Sequence, residues 1–147
     1  MKQILMIALF AIATGTSAFA SPNSVSKKVT THFSTAFKNA KNVSWKADGN
    51  YDKVSFMMEG QKVEAFYNKY GELIGTSKTA AFDKLPKKAL EVITTLYTFP
   101  DYQLKDCIEF TSADKEKNYY VSFRTGSETT YLQISEEGYV SNFTPNK

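Results

Sequence analysis

Apolar and polar residues alternate in eight short runs. The runs fall into two sets of four, each set behind a stretch with helical spacing. In the first set Val29, His32, Phe33, Ala36 and Phe37 recur at i, i+3, i+4, i+7 and i+8. That stripe predicts an amphipathic helix from Lys27 to near Asn39-Ala40, with Ser24 or Ser26 as its cap. Period-two alternation then predicts strands over Lys41–Lys46, Tyr51–Met58, Lys62–Asn68 and Glu72–Thr76, separated by Asp48-Gly49-Asn50, Glu59-Gly60-Gln61 and Asn68–Gly71. In the second set Pro86 suits the N1 position of a helix capped by Asp83, with Leu85, Ala89, Val92, Ile93, Leu96 and Tyr97 as its apolar stripe. Phe99-Pro100 closes it. Strands follow at Gln103–Phe110, Asn118–Thr125, Thr129–Ser135 and Tyr139–Phe143.

The two sets are copies. Val54-Ser55-Phe56 recurs as Val121-Ser122-Phe123, and Ala65, Tyr67 and Gly71 return as Leu132, Ile134 and Gly138, all at an offset of 67. Register slips by a residue at the hairpin, where Gly60 corresponds to Gly126, and again before Val54. The fold class is therefore α+β: two tandem helix-plus-four-strand repeats forming one antiparallel sheet, with the helices packed on one face. The first repeat occupies 27–80 and the second 81–147. Such a sheet leaves its other face open to solvent.

Residues 1–20 read as a signal peptide: Lys2, an apolar core from Ile4 to Ile12, and the small-x-small site Ala18-Phe19-Ala20, with cleavage between Ala20 and Ser21. Residues 21–26 read as a flexible leader. The apolar core is shorter than the roughly 20 residues of a spanning helix. The expected product is soluble and periplasmic or secreted, with no stable membrane insertion after cleavage. Losing Lys2 leaves 17 basic against 15 acidic residues, a net charge of about +2. That balance, with Arg124 as the only arginine, argues against a nucleic-acid partner. One cysteine excludes an internal disulfide, so 9 Tyr, 11 Phe and 1 Trp must supply the core.

Strand parity separates the faces. Val54, Phe56, Met58, Val63, Ala65, Tyr67, Val121, Phe123, Leu132 and Ile134 point to the helices. The opposite parity carries Lys53, Ser55, Lys62, Glu64, Ser122 and Gln133, but also Met57, Phe66, Tyr120, Arg124 and Tyr131. Aromatic residues, Met and Arg are the vocabulary of protein interfaces. These five are the candidate partner-binding residues, and cross-strand pairs that merely stabilise the sheet are the competing reading.

No catalytic constellation is visible. His32 and Cys107 are single, Cys107 lies in a strand pattern, and the carboxylates are scattered. No metal or cofactor is expected, and the glycines build no phosphate loop. The chain is expected not to be an enzyme.

Phe37-Lys38-Asn39-Ala40-Lys41-Asn42-Val43-Ser44-Trp45 is similar to the F-x-x-A-x-x-V-x-W opening of the PepSY-like, β-lactamase-inhibitor-like periplasmic proteins. Tyr51 to Phe56, Gly60 and Ala65 to Leu73 continue the pattern, and Phe110 stands near the place of Trp45 in the second copy. The resemblance implies a tandem fold facing the periplasm, whose concave sheet face binds a protein. It carries over no catalytic residue. The expected function is an exported, non-enzymatic binding protein that engages a protein or peptide through the open sheet face. The alternative is a periplasmic small-ligand carrier, with a pocket between helices and sheet among Phe33, Phe37, Trp45 and Leu96.

Overall fold

The structure, a computed structural model, describes residues 25–47 and 50–145. The expected signal peptide, its expected Ala20/Ser21 cleavage site and residues 48–49 lie outside them. Helix α1 (Lys27–Ala36) precedes β1 (Lys41–Ala47), β2 (Tyr51–Met58), β3 (Gln61–Asn68) and β4 (Leu73–Thr79). A 3-10 turn (Phe82–Lys84) and helix α2 (Lys87–Leu96) lead to β5 (Gln103–Ser112), β6 (Lys117–Thr125), β7 (Glu128–Ser135) and β8 (Val140–Phe143). The strands form one eight-stranded sheet in the order β1 to β8, each antiparallel to the next. Both helices cover the same face.

Ser26 caps α1, its hydroxyl accepting from the Val29 N–H at 3.3 Å. Val25, just before it, is buried in the first core. Helix α2 departs from expectation. Asp83 falls in the 3-10 turn, and Pro86 is not N1 but the N-cap residue, extended at φ −53°, ψ 135°. Each helix is only ten residues long and meets the sheet along a narrow i, i+4 line: Val29 and Phe33 in α1, Ala89 and Ile93 in α2. His32, Ala36, Val92 and Leu96 therefore stand exposed, although the periodicity grouped them with the apolar stripes.

Two cores result. In the first, Phe33 lies 5.1–5.3 Å from the rings of Phe37, Trp45 and Phe56. In the second, Ile93, Cys107, Val121, Phe123, Leu132 and Ile134 pack beneath α2. Trp45 pairs with Val54, and Cys107 pairs with Val121. Cys107 is thus the counterpart of Trp45, whereas Phe110 points to the opposite face. Between the cores the helix face of the central strands is polar: Lys78 and Lys117 both reach Glu109 Oε1, at 3.4 and 3.9 Å. The offset of 67 runs unbroken through the hairpin, since Met58 pairs with Gln61 as Thr125 pairs with Glu128. The glycine changes place within the two-residue loop, and the register does not slip.

The same turn glycine seats each helix. Gly71 and Gly138 adopt φ +75° and +85°, which side chains disfavour. A Cβ on Gly71 would lie 3.1–3.4 Å from Lys28 and Val29. One on Gly138 would lie 3.0–3.2 Å from Lys88, Pro86 and Ala89. Asn68 and Ser135 shape these turns by accepting backbone N–H groups, from Tyr70 and Glu72 in one copy and from Tyr139 in the other. Gly71→Ala and Gly138→Ala should each destabilise by about 2–3 kcal/mol in chemical denaturation. Gly60→Ala, at φ +76° but with open space around it, should cost only about 1 kcal/mol. Equal losses at all three positions would remove the packing argument.

Burial pushes the Cys107 thiol up to about 11 and the Tyr67 hydroxyl up to about 12. The unfolded chain releases those protons near 9.0 and 10.0, the folded chain only at the higher values. The stability these two groups contribute is therefore fully present below about pH 9 and declines as pH rises through the window up to about 12. The urea midpoint should be lower at about pH 10.5 than at about pH 8, and Cys107→Ala should move the onset of decline toward pH 10.

Candidate functional site

The uncovered face of the sheet is a row-by-row consequence of the pairing. Ser55, Glu64, Ser77, Phe110 and Asn118 lie directly across from one another on successive strands. Ile108, Tyr120 and Gln133 form a second row, and Asp106, Ser122, Tyr131 and Phe143 a third. All five candidate residues fall on this face, but they do not form one exposed patch.

Phe66 and Tyr120 are 0% and 2% exposed. No helix among the described residues covers them; their own neighbours do. With Ile108 they form a third apolar cluster, flanked by the partly exposed Tyr51, Ile74, Phe110 and Phe143. The Phe66 ring lies 6.3 Å from Tyr51 and 6.4 Å from Phe110, and the Tyr120 ring lies 5.5 Å from Phe143. Burial pushes the Tyr120 hydroxyl up to about 12. Gly75 makes room, since a methyl there would strike the Phe110 ring and the Thr111 carbonyl. Tyr131 is half-buried, opposite Ser122 and Phe143. Met57 is half-buried near the other edge, opposite Lys41 and Lys62. Arg124 is exposed at the end of β6, opposite Gln103.

Polar groups are built into the same face. The Glu64 carboxylate, 2% exposed, accepts from Lys53 Nζ at 3.2 Å and from Ser55 Oγ at 3.0 Å, and Lys62 Nζ lies at 3.9 Å. Ser122, the copy of Ser55, donates to Asp106 at 3.1 Å. Each repeat therefore places one serine hydroxyl against one carboxylate. Ser77 Oγ, beside Glu64, is buried without a hydrogen-bond partner among the described residues.

Alternation in the sequence did not reveal Ile74, Ile108 and Phe110 as members of this face. A register shift between Leu104 and Asp106, and another between Phe66 and Tyr67 against β4, break the parity that would have shown them. Tyr51 and Phe143 carried a signal, because they share parity with Lys53 and Tyr131.

Cys107 lies in the second core, while His32 Nδ1 hydrogen-bonds Tyr67 Oη at 3.1 Å on the first. No group of three or more metal-ligating side chains occurs among the described residues. Phe33, Phe37 and Trp45 fill the first core ring against ring, and Leu96 is 63% exposed on the other helix, so these four line no common pocket. Two shallow hollows adjoin each other at the end of the second unit.

Two helices, each followed by four strands of one open antiparallel sheet, define one α+β architecture. Solved structures from Bacteroides share it. A BLIP-like protein from Bacteroides fragilis NCTC 9343 superposes with a TM-score of 0.69 at 16% identity, covering 88% of this chain and 92% of its own. A DUF2874 family protein from Bacteroides uniformis ATCC 8492 gives 0.69 at 11% identity, covering 80% and 89%. A protein from Bacteroides eggerthii DSM 20697, named for a proposed periplasmic location, gives 0.68 at 12% identity over 80% and 88%. No family model and no curated protein matches the sequence. Among the described residues no helix is long and apolar enough to cross a membrane.

Removing the unpartnered hydroxyl should help folding. Ser77→Ala is expected to raise the unfolding free energy by about 1 kcal/mol in urea titration, because a buried polar group without a partner is costly. A loss of that size would show that the hydroxyl is bonded in solution.

Proposed function

We propose that this is an exported, non-enzymatic binding protein that engages a protein or peptide through the open face of its sheet. The observation that carries the reading is the third apolar cluster, which extends across both repeats on a face that no helix covers. A preformed apolar centre with a polar rim is how protein interfaces are organised. Met57, Tyr131 and Arg124 would touch the partner, and Phe66 and Tyr120 would hold the surface rigid from below. The likeness to a BLIP-like protein supports the same face, by fold analogy alone.

Residues 1–20 support export, with a mature chain starting at Ser21 and repeats at 27–80 and 81–147. The reading includes a soluble periplasmic product and neither metal nor cofactor.

Crosslinking capture from periplasm with the tagged chain tests this. Phe66→Ala is a poor probe, since truncating a fully buried ring costs about 3–5 kcal/mol. Met57→Glu combined with Tyr131→Glu places charge on the half-exposed surface instead. The expected result is a protein captured from a chain that begins at Ser21, and lost with the double variant at unchanged thermal midpoint. Equal capture by both proteins would remove the open face from the reading.

A further inference from the structure

We propose that the partner of the open face is acidic where it covers the first repeat: a protein or peptide segment that carries several carboxylates next to an apolar side chain. The inference rests on the open-face reading and adds the partner's chemistry to it.

The pairing places four lysines on this face of β1, β2 and β3. Lys46 lies directly across from Lys53, and Met57 has Lys41 on one side and Lys62 on the other. Among the described residues, Glu64 is the only acidic one at a paired position of this face in the first repeat. Four ammonium groups against one carboxylate leave three positive charges in excess. Glu64 is itself 2% exposed, with Lys53 Nζ at 3.2 Å and Lys62 Nζ at 3.9 Å, so an approaching molecule meets lysines. The Lys62 side chain is 52% exposed. Lys41 and Lys46 are exposed and form no ion pair with another described residue. In the second repeat the paired positions of this face carry Asp106 and Arg124, one charge of each sign.

The fold does not require the lysines. Trp45–Val54 and Cys107–Val121 are equivalent pairs, so Lys46–Lys53 in the first copy corresponds to Ile108–Tyr120 in the second. Lys62 corresponds to Thr129 by the offset of 67. Like charges directly opposite each other destabilise a sheet, whereas the second copy gains apolar burial at the same place. Lys53 is matched by Glu64, and lysines on a margin such as β1 discourage edge pairing. Neither reason covers Lys62, two strands inside that margin.

The charge also runs straight into the apolar centre. Lys46, Lys53, Phe66 and Gly75 are successive members of one row, and Phe110 closes over Gly75. The half-buried rings of Tyr51 and Phe110 flank Phe66 at 6.3 and 6.4 Å. A segment lying along this row meets ammonium groups first and ring surfaces next. Lysine heads are point charges on flexible stems, which suits carboxylates at several positions. Complementary charge of this kind speeds encounter and fixes the register of the partner.

The test is an NMR titration of the ¹⁵N-labelled chain beginning at Ser21 with acetylated, amidated Glu-Glu-Glu-Gly-Phe-Phe. Its counterparts with glutamine or lysine in place of glutamate are the controls. At about 20 mM salt the glutamate peptide should give saturable shifts centred on β1–β3 and residues 108–110. The glutamine peptide should bind at least about tenfold more weakly, and the lysine peptide not at all. Lys41→Gln with Lys46→Gln and Lys62→Gln, all at exposed positions, should weaken the glutamate peptide about tenfold at unchanged thermal midpoint. Lys27→Gln with Lys38→Gln and Lys69→Gln, exposed elsewhere and equal in net charge, should leave it unchanged. Equal weakening by the two triple variants would overturn the proposal, as would absence of saturable shifts up to about 10 mM. Equal binding of the glutamate and glutamine peptides, lost in the Met57/Tyr131 double variant, would overturn the acidic partner while the open-face reading stands. Tighter binding of a thymidine oligonucleotide of matching charge, or of phosphatidylglycerol vesicles, would overturn it in favour of a phosphate-bearing partner.

Discussion

The apolar cluster on the uncovered face holds the two repeats together. On the helix side the cores are separate, because the central strands place Lys78, Glu109 and Lys117 between them. A charged row of this kind, partly exposed, contributes little cohesion. On the other side Phe66 from the first repeat meets Ile108 and Tyr120 from the second, with Phe110 closing over Gly75 at the junction. The sheet is thus stitched by hydrogen bonds along β4 and β5 and by burial on the face that a helix-capped sheet usually leaves wet.

This arrangement gives the open-face aromatics two duties. Phe66 and Tyr120 belong to the joint, so their removal acts on stability first. Their partly exposed neighbours Tyr51, Phe110 and Phe143 are held in place by that joint. A surface whose rings are already fixed loses little conformational entropy when covered, which favours recognition. The Glu64–Lys53–Ser55 group sets a rigid polar boundary on one side of it.

Much of the fold was legible because period two is a strong signal, and all eight strands fall close to their expected bounds. The offset of 67 was legible for the same reason. Helix placement was harder to read. Val92 and Leu96 satisfy the periodicity of α2, but a ten-residue helix on a twisted sheet buries a narrower line than its sequence allows. The N-terminus of α2 was misassigned because Pro86 fits N1 and N-cap sequences alike. The candidate site was legible only as parity. Membership of the face can be counted along a strand, whereas burial without a covering helix depends on rings from four other strands. The register shift in β5 also hid Ile108, the residue that connects Phe66 to Tyr120.

Because every strand neighbours its successor, the sheet of the described residues has two margins, β1 and β8. An unpaired margin is a template for further chains. Here β1 carries exposed Lys41 and Lys46 and breaks its ladder between Lys41 and Ser44, where Asn42 turns to φ 53°. The opposite margin is only four residues long. A repeat built to add strands side by side is thereby kept from self-templated fibre growth: one border repels a newcomer by charge and kink, and the other offers too short a foothold.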